Sequence, residues 1–181
     1  MYIVVGVPGA GKTTVLNEFV KKNQEWKIIN YGTLMFEIAK EYGIKDRDSM
    51  RKSPVNIQRK IQEEVGKRLA EISKEKNTIL DTHASIKTLK GYLPGLPKKL
   101  LENINVEGIV LITAKPEEIA KRRSKDLTRK RDEENLKEIK EHELINKILC
   151  LTYSSISGAP FSMITNSILQ KAVEELEKKL K

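Results

Sequence analysis

"MYIVVGVPGAGKTT", residues 1–14, is the stretch of sequence that decides the fold. A short apolar run leads into the pattern G-x-x-x-x-G-K-[ST], and the helical pattern "TTVLNEFVKK" follows it. The defining positions are Gly6, Gly11, Lys12 and Thr13. Glycines let successive backbone N–H groups turn inward around phosphates, and the N-terminus of the following helix adds partial positive charge. We therefore predict a strand, a phosphate-binding loop and a helix in this order.

Three side chains near this loop are candidates for phosphate and metal binding. Lys12 can reach the β- and γ-phosphates of a nucleotide, and the hydroxyl of Thr13 is placed to coordinate Mg²⁺. Asp81 ends the apolar run "TILD", where a buried carboxylate is costly unless it meets Mg²⁺, a metal-bound water or a hydrogen-bond donor. The residue types predict a catalytic Lys12 and a metal site that includes Thr13 and Asp81.

The rest of the chain predicts an α/β fold in a single domain over residues 1–181. Short runs rich in β-branched residues mark five strands, at 2–6, 26–30, 78–81, 106–113 and 161–165. Their near-continuous apolarity is typical of a parallel sheet covered on both faces. Three helical patterns are present. One follows Pro54, and one runs from about 132 to 157, before Gly158. The third lies at the C-terminal end of the sequence, with apolar positions at Leu169, Val173, Leu176 and Leu180. In such a doubly wound fold, ligands bind beyond the carboxyl ends of the strands.

Charge and composition limit the partners. The net charge of +9 suits a polyanionic ligand, so nucleic acid has to be considered. Only three Phe and one Trp are present, which argues against a base-stacking surface. The single cysteine, Cys150, excludes disulfides within the chain and thiolate metal sites, and it reads as a buried apolar side chain. With no basic leader and no apolar run of about 20 residues, we expect a cytoplasmic protein without a membrane span.

Three classes of P-loop protein compete at this point. A GTPase would carry Asn-Lys-x-Asp, whereas the only Asn-Lys here, Asn146-Lys147, falls inside a predicted helix. A remodelling ATPase would usually pair Asp81 with a following catalytic carboxylate, and "ILDTH" has none. A small kinase needs metal-bound phosphates, an acceptor site and cations for the transferring group, and it fits best.

Candidate acceptor residues follow the second and third strands. "NYGTLMFEIAK" places Tyr31, Gly32 and Thr33 at a strand-to-helix turn, where polar groups and a helix N-terminus can hold a second phosphate, although Thr33 can equally be an ordinary N-cap. "DRDSMRKS", residues 46–53, supplies three cations, of which two, at 47 and 52, read first as solvated loop charges. His83 suits an acceptor phosphate and a backbone hydrogen bond equally well. "GYLPGLP", residues 91–97, predicts a loop with little conformational freedom. This loop either forms one wall of a nucleotide-base pocket or only connects two secondary-structure elements.

"KRRSKDLTRKR", residues 121–131, is the most basic stretch of the chain. It reads either as a solvated or nucleic-acid-binding face, or as an arginine-bearing lid over the transferring phosphoryl group. Its place after the fourth strand, on the side where ligands bind, favours the lid. Its arginines are Arg122, Arg123, Arg129 and Arg131, which become the candidate lid cations only through the family resemblance given below.

Taken in order, these motifs resemble the archaeal-type adenylate kinases over residues 1 to about 178. The segment "DTHASIKTLKGYLPGLP", residues 81–97, is highly specific to that family. The resemblance implies a three-layer α/β/α P-loop kinase fold with a five-stranded parallel sheet, an AMP-binding helical segment at 30–75 and a short lid at 121–132. It implies reversible Mg²⁺-dependent transfer between ATP and AMP to give two ADP, and so a part in adenine nucleotide homeostasis in the cytoplasm. It also implies a homotrimer. The alternatives are a kinase for another nucleoside monophosphate and a basic nucleic-acid-binding P-loop NTPase.

The resemblance also assigns roles to residues. ATP would be bound by the loop residues Gly6, Val7, Pro8, Gly9, Ala10, Gly11, Lys12, Thr13 and Thr14, and Asp81 would help to hold the metal. The AMP site would be lined by Tyr31, Gly32, Thr33, Arg51, His83 and Lys87. The catalytic cations would be Lys12, Arg123, Arg129 and Arg131. Bacterial-type relatives place an AMP-phosphate arginine where this chain has Phe36, and Arg51 is the predicted replacement.

Overall fold

The computed structural model describes residues 1–125 and 135–180, and it leaves the side chain of Arg51 undescribed. The strands are β1 (Tyr2–Val5), β2 (Lys27–Asn30), β3 (Thr78–Asp81), β4 (Ser85–Thr88), β5 (Gly91–Pro94), β6 (Gly108–Thr113) and β7 (Phe161–Thr165). The helices are α1 (Lys12–Lys22), α2 (Tyr31–Glu41), α3 (Arg47–Lys52), α4 (Val55–Ile72), α5 (Lys98–Asn103), α6 (Pro116–Ser124), α7 (Leu136–Ser157) and α8 (Leu169–Leu180).

A five-stranded parallel sheet forms the middle layer, in the order β2-β3-β1-β6-β7. β1 is central, so Tyr2 pairs with Ile79 on one side and with Gly108 on the other. The five predicted strands and the predicted parallel sheet are confirmed: β3 and β7 have the predicted bounds, and the other three strands differ at one end by one or two residues. The carboxyl ends of β1, β2 and β3 lead into the phosphate-binding loop, into α2 and into the segment after Asp81.

Alternating side chains of the central strand divide the core into two layers. Ile3 and Val5 pack with residues of α2, α4, α5 and α7, whereas Val4 packs on the opposite face with residues of α1 and α8. In a strand, successive side chains point to opposite faces of the sheet, so one apolar run serves both layers. The expected α/β/α layering is confirmed.

The two long helices predicted near the middle and end of the chain are present. The apolar stripe after Pro54 lies on α4, and Ile61, Val65 and Leu69 are fully buried. The long helix α7 begins at Leu136, after the N-cap Asn135, and ends at Ser157, before the C-cap Gly158, whose φ of 74° is left-handed. The predicted start of this helix near residue 132 lies outside the described residues. It buries Cys150 completely, as predicted, and burial raises the pKa of that thiol to about 12.

A β-hairpin replaces part of the loop expected at residues 91–97. β4 and β5 pair antiparallel, with Ile86 opposite Leu93. The hydroxyl of Tyr153 on α7 donates to the carbonyl of Ala84 at 2.6 Å and accepts the N–H of Leu96 at 3.2 Å, so both ends of the hairpin are tied to one helix. The strand β5 is difficult to predict from residue propensities, because residues 91–97 contain two prolines and two glycines. Residues 46–53 also differ from expectation, because their centre is the short helix α3.

No helix among the described residues is both long enough and apolar enough to cross a membrane.

Candidate functional site

The phosphate-binding loop occupies residues 6–11 between β1 and α1. Gly9 and Gly11 have φ values of 90° and 86°, in the left-handed region that favours glycine. A Cβ on Gly6 would lie 2.7 Å from the carbonyl oxygen of Ile112, so the absence of a side chain there allows a close approach to β6. The pattern requires glycine at positions 6 and 11, and the close approach at Gly6 and the positive φ of Gly11 explain both requirements, whereas Gly9 is a further glycine with positive φ.

Lys12 and Asp81 form a buried ion pair at the carboxyl ends of β1 and β3. The ammonium Nζ of Lys12 contacts Oδ1 of Asp81, and each side chain is only 10% exposed. Burial lowers the pKa of Lys12 from 10.5 to about 8. The second carboxylate oxygen, Oδ2 of Asp81, accepts a hydrogen bond from Nδ2 of Asn30 at 2.8 Å. The structure thus brings the predicted phosphate-binding lysine and the predicted metal-binding carboxylate into contact.

Asn30 connects this pair to the candidate acceptor side. Its Oδ1 accepts the backbone N–H of Thr33 at 2.9 Å, which caps α2, and the hydroxyl of Thr33 at 3.0 Å. One amide therefore serves two elements, since its nitrogen orients Asp81 and its oxygen orients the first turn of α2. The N-cap of α2 is thus Asn30 and not Thr33, which lies inside the first turn of the helix.

Arg47 continues the same polar chain. Its Nη2 donates to Oγ1 of Thr33 at 3.1 Å, and its guanidinium lies 5.8 Å from the centre of the Phe36 ring. Nη1 would be 3.5 Å from a Cβ on Gly32, an ordinary contact distance, so the guanidinium lies directly beside Gly32. The interpretation of Arg47 as a solvated loop charge is therefore incomplete: the residue is exposed, but it begins α3 and contacts Thr33. The guanidinium near Phe36 therefore belongs to a residue 11 positions later in the chain.

The remaining residues predicted for the acceptor side have different environments. The ring of Tyr31 packs in the core, where burial raises its pKa to about 12, and the residue is the first of α2. Arg51 lies on α3, and its side chain is outside the described part of the structure. His83 is exposed directly after β3. Lys87 is on β4, where its Nζ lies 3.4 Å from Oε1 of Glu138 on α7.

The predicted lid falls partly within the described residues. Its first four residues, 121–124, are the last turn of α6, while Arg129 and Arg131 lie outside the described residues. Arg122 and Arg123 both reach the phosphate-binding loop. Nη1 of Arg122 donates to the carbonyl of Ala10 at 3.1 Å, and Nε of Arg123 donates to the carbonyl of Pro8 at 2.7 Å.

Asn166, after β7, is a site residue that the sequence argument missed. It is 5% exposed, and its Nδ2 donates to the carbonyl of Ala10 at 2.9 Å. The backbone carbonyl of Asn166 accepts a hydrogen bond from Nη2 of Arg122 at 2.8 Å. The sequence signal for Asn166 is a polar residue directly after a predicted strand, a position similar to that of Asp81 at the end of β3.

Comparison with known proteins agrees with this architecture. Residues 5–140 match a family model described as an AAA domain, which includes the phosphate-binding loop. The chain is 49% identical to the adenylate kinase of Methanocaldococcus jannaschii, over 99% of this chain and 97% of that protein. It is 48% identical to the adenylate kinase of Thermoplasma acidophilum, over 91% of this chain and 88% of that protein. Its identity to the adenylate kinase of Methanococcus aeolicus is 40%, over 97% and 95% of the two chains.

Two solved structures share the fold at low sequence identity. Shikimate kinase from Acinetobacter baumannii, solved with shikimate, has a TM-score of 0.56 and 18% identity, covering 99% of this chain and 92% of that one. An unliganded sugar kinase from Janibacter sp. has a TM-score of 0.57 and 15% identity, with the same coverage. At these identities the likeness concerns the fold alone.

Proposed function

The chain belongs to the archaeal-type adenylate kinase family, and we propose that it transfers the γ-phosphoryl group of ATP reversibly to AMP, with Mg²⁺, to give two ADP. The observation that carries this proposal is the polar chain Lys12, Asp81, Asn30, Thr33 and Arg47. It starts at the phosphate-binding loop and ends at a cation beside the N-terminus of α2. A kinase that binds two nucleotides needs positive charge at both ends of its cleft, because both substrates are polyanions.

The chemistry asks little of the protein beyond alignment and charge. A phosphate oxygen of AMP is already ionised at neutral pH, so in-line attack on the γ-phosphorus requires no general base. Lys12 would stabilise the charge that passes between the β- and γ-phosphates. The lid arginines Arg123, Arg129 and Arg131 would neutralise the transferring group, and the loop residues 6–14 would hold the donor phosphates.

The acceptor assignment extends the sequence prediction by one residue. We place the AMP phosphate near the first turn of α2, bordered by Tyr31, Gly32 and Thr33, with Arg51, His83 and Lys87 as further contacts. Arg47 joins this set because it is held on Thr33 and beside Gly32. An arginine fork can bind two phosphate oxygens at once, which suits this position.

The residues at the donor side fit a magnesium ion. Mg²⁺ prefers oxygen ligands, and it is commonly held by one or two protein oxygens together with substrate phosphates and waters. Asp81 offers a buried carboxylate at the end of β3, and Thr13 offers an exposed hydroxyl at the start of α1. Among the described residues there is no group of three or more acidic, histidine or cysteine side chains that would hold an ion alone. When bound, Mg²⁺ would neutralise charge on the donor phosphates.

We also propose that the protein is a homotrimer that acts in the cytoplasm. The support for assembly is an exposed apolar face on α7, formed by Leu144, Ile148 and Leu151, which are 57%, 50% and 59% exposed. Their spacing of four and three residues places them on one side of the helix. In sedimentation equilibrium we expect three times the chain mass for the wild type and for Val55→Glu, an exposed control on α4, and a lower mass for Ile148→Glu. A wild type that sediments as a monomer contradicts the trimer.

A coupled assay of ADP formation from ATP tests the function. AMP, CMP, UMP and GMP serve in turn as acceptors, and we expect AMP to give the highest kcat/KM. Failure to form ADP in the presence of AMP would refute the proposal, and a preference for another monophosphate would assign a different kinase. Binding to RNA at physiological salt without AMP-dependent turnover would instead favour the nucleic-acid alternative.

A further inference from the structure

Two carbonyl oxygens of the phosphate-binding loop are held by side chains from distant parts of the chain. The carbonyl of Ala10 accepts from Asn166 at 2.9 Å and from Arg122 at 3.1 Å. The carbonyl of Pro8 accepts from Arg123 at 2.7 Å. From these contacts we propose that Asn166 and Arg122 are positioning residues that orient the backbone N–H groups of the loop toward the donor phosphates.

The geometry of the peptide unit connects these contacts to phosphate binding. In a trans peptide the C=O and the following N–H point in opposite directions. The carbonyl of Ala10 is therefore opposite the N–H of Gly11, and the carbonyl of Pro8 is opposite the N–H of Gly9. A donor that fixes either carbonyl on one side of the loop fixes the corresponding N–H on the other side.

These two peptide units most need such fixing, because each precedes a glycine with positive φ. Glycine lacks the Cβ that would restrict its backbone, so its peptide can rotate with little steric cost. A rotated unit would present a carbonyl oxygen, with partial negative charge, where a phosphate has to bind. We infer that the donors hold the unit in the orientation that binds anions.

The donors form one connected group, in which Asn166 is buried and the side chain of Arg122 is 36% exposed. Asn166 is 5% exposed, and a Cβ on Gly11 would overlap its Nδ2. Arg122 bridges the carbonyls of Ala10 and Asn166, with the second contact at 2.8 Å. The backbone N–H of Asn166 donates to the carbonyl of Thr113 at 2.7 Å, which fixes the residue to β6. The loop is thus oriented by the ends of α6, β6 and β7.

A purely structural role makes a different prediction. If Asn166 and Arg122 only join α6 and β7 to the loop, their loss lowers stability and the fraction of active protein, and it affects both substrates equally. If they orient the N–H groups, their loss weakens the binding of donor phosphates and leaves AMP binding unchanged. The inference rests on the proposed function in taking residues 6–14 as the donor site.

The experiment compares Asn166→Ala and Arg122→Met with matched controls. Asn103→Ala removes an amide that donates to a backbone carbonyl at 2.6 Å at an exposed position of α5, and Arg68→Met removes an exposed arginine of α4. Binding of inorganic tripolyphosphate is measured by calorimetry, and KM is measured separately for ATP and AMP. We expect about a tenfold weaker tripolyphosphate affinity and a similar rise in KM for ATP in each test variant, since a hydrogen bond at such a site contributes about that factor.

In the same variants KM for AMP should stay within about twofold, and both controls should match the wild type. Arg122→Lys keeps the charge but can serve only one carbonyl well, so its effect should lie between those of wild type and Arg122→Met. Wild-type tripolyphosphate affinity in Asn166→Ala and Arg122→Met, or equal changes in KM for ATP and AMP, would overturn the inference. The binding arm needs no turnover, so a wild type that binds tripolyphosphate but does not phosphorylate AMP would refute the proposed function alone.

Discussion

The amide of Asn30 makes two contacts that substitution can separate. Asn30→Asp keeps an oxygen that can cap α2, because Asp and Asn are equally good N-caps. It removes the donor that faces Oδ2 of Asp81 at 2.8 Å and puts a second carboxylate in its place. We expect the variant to lose stability at neutral pH through charge repulsion, without losing the cap.

The structure gives the size and the sign of this effect. Two unit charges 2.8 Å apart repel by about 6 kcal/mol at an effective dielectric constant of about 20. Because position 30 is exposed and Lys12 pairs with Asp81, we expect solvent and the ammonium to reduce the cost to about 2 kcal/mol. Repulsion raises the pKa of the carboxyl pair above the unfolded value of about 3.9, so the native variant binds more protons than the unfolded chain. The loss is therefore small near pH 4.5 and grows toward pH 7.5.

Urea unfolding at pH 4.5 and 7.5 measures this difference. Asn17→Asp is the control, because it adds the same charge at an exposed position on α1. Asn30→Ala should also lose about 1 kcal/mol of capping energy at both pH values. An equal loss at the two pH values for Asn30→Asp, or no loss at either, would refute the account of the Asn30 and Asp81 contact.

Three further predictions concern activity. Lys12→Ala should lower kcat by at least about a hundredfold while circular dichroism shows a retained fold, and near wild-type turnover would contradict its role. Since burial lowers the pKa of Lys12 to about 8 in the protein without nucleotide, its charge is lost as the pH rises past that value. The pH profile of kcat/KM for ATP should accordingly fall with a midpoint near pH 8, and a flat profile to pH 9.5 would count against this. Arg47→Ala should raise KM for AMP about tenfold and leave KM for ATP within about twofold. Lys45→Ala, two residues before α3 begins, should change neither KM.

The features that could be predicted from the sequence depend on residues that are close together in the chain. The loop pattern depends on backbone conformations within residues 6–14, where the motif glycine Gly11 and the neighbouring Gly9 both have positive φ. The strand that ends at Asp81 could be recognised because its residues are buried on both faces of the sheet. Parallel strands then bring Lys12 and Asp81 to the same edge, although 69 positions separate them.

Contacts between distant segments could not be predicted in the same way. Arg47 meets Thr33 through the path of α2 and α3, and nothing in the local pattern distinguishes it from other surface cations. Asn166 reaches Ala10 across 156 residues of sequence. The strand at Gly91–Pro94 is stabilised by pairing with β4 and by Tyr153, so its own residues carry little strand signal. The predicted roles of the individual site residues remain predictions.

The central position of β1 has a consequence for how the chain folds. Its partners are β3, about 77 residues later, and β6, about 106 residues later. Contacts of such high sequence separation carry a large loop-closure entropy, and they slow folding. During synthesis the first strand has to wait for more than half of the chain before both of its edges are paired. We therefore expect the phosphate-binding loop, although it is synthesised before β3 and β6, to be among the last parts to reach its native conformation.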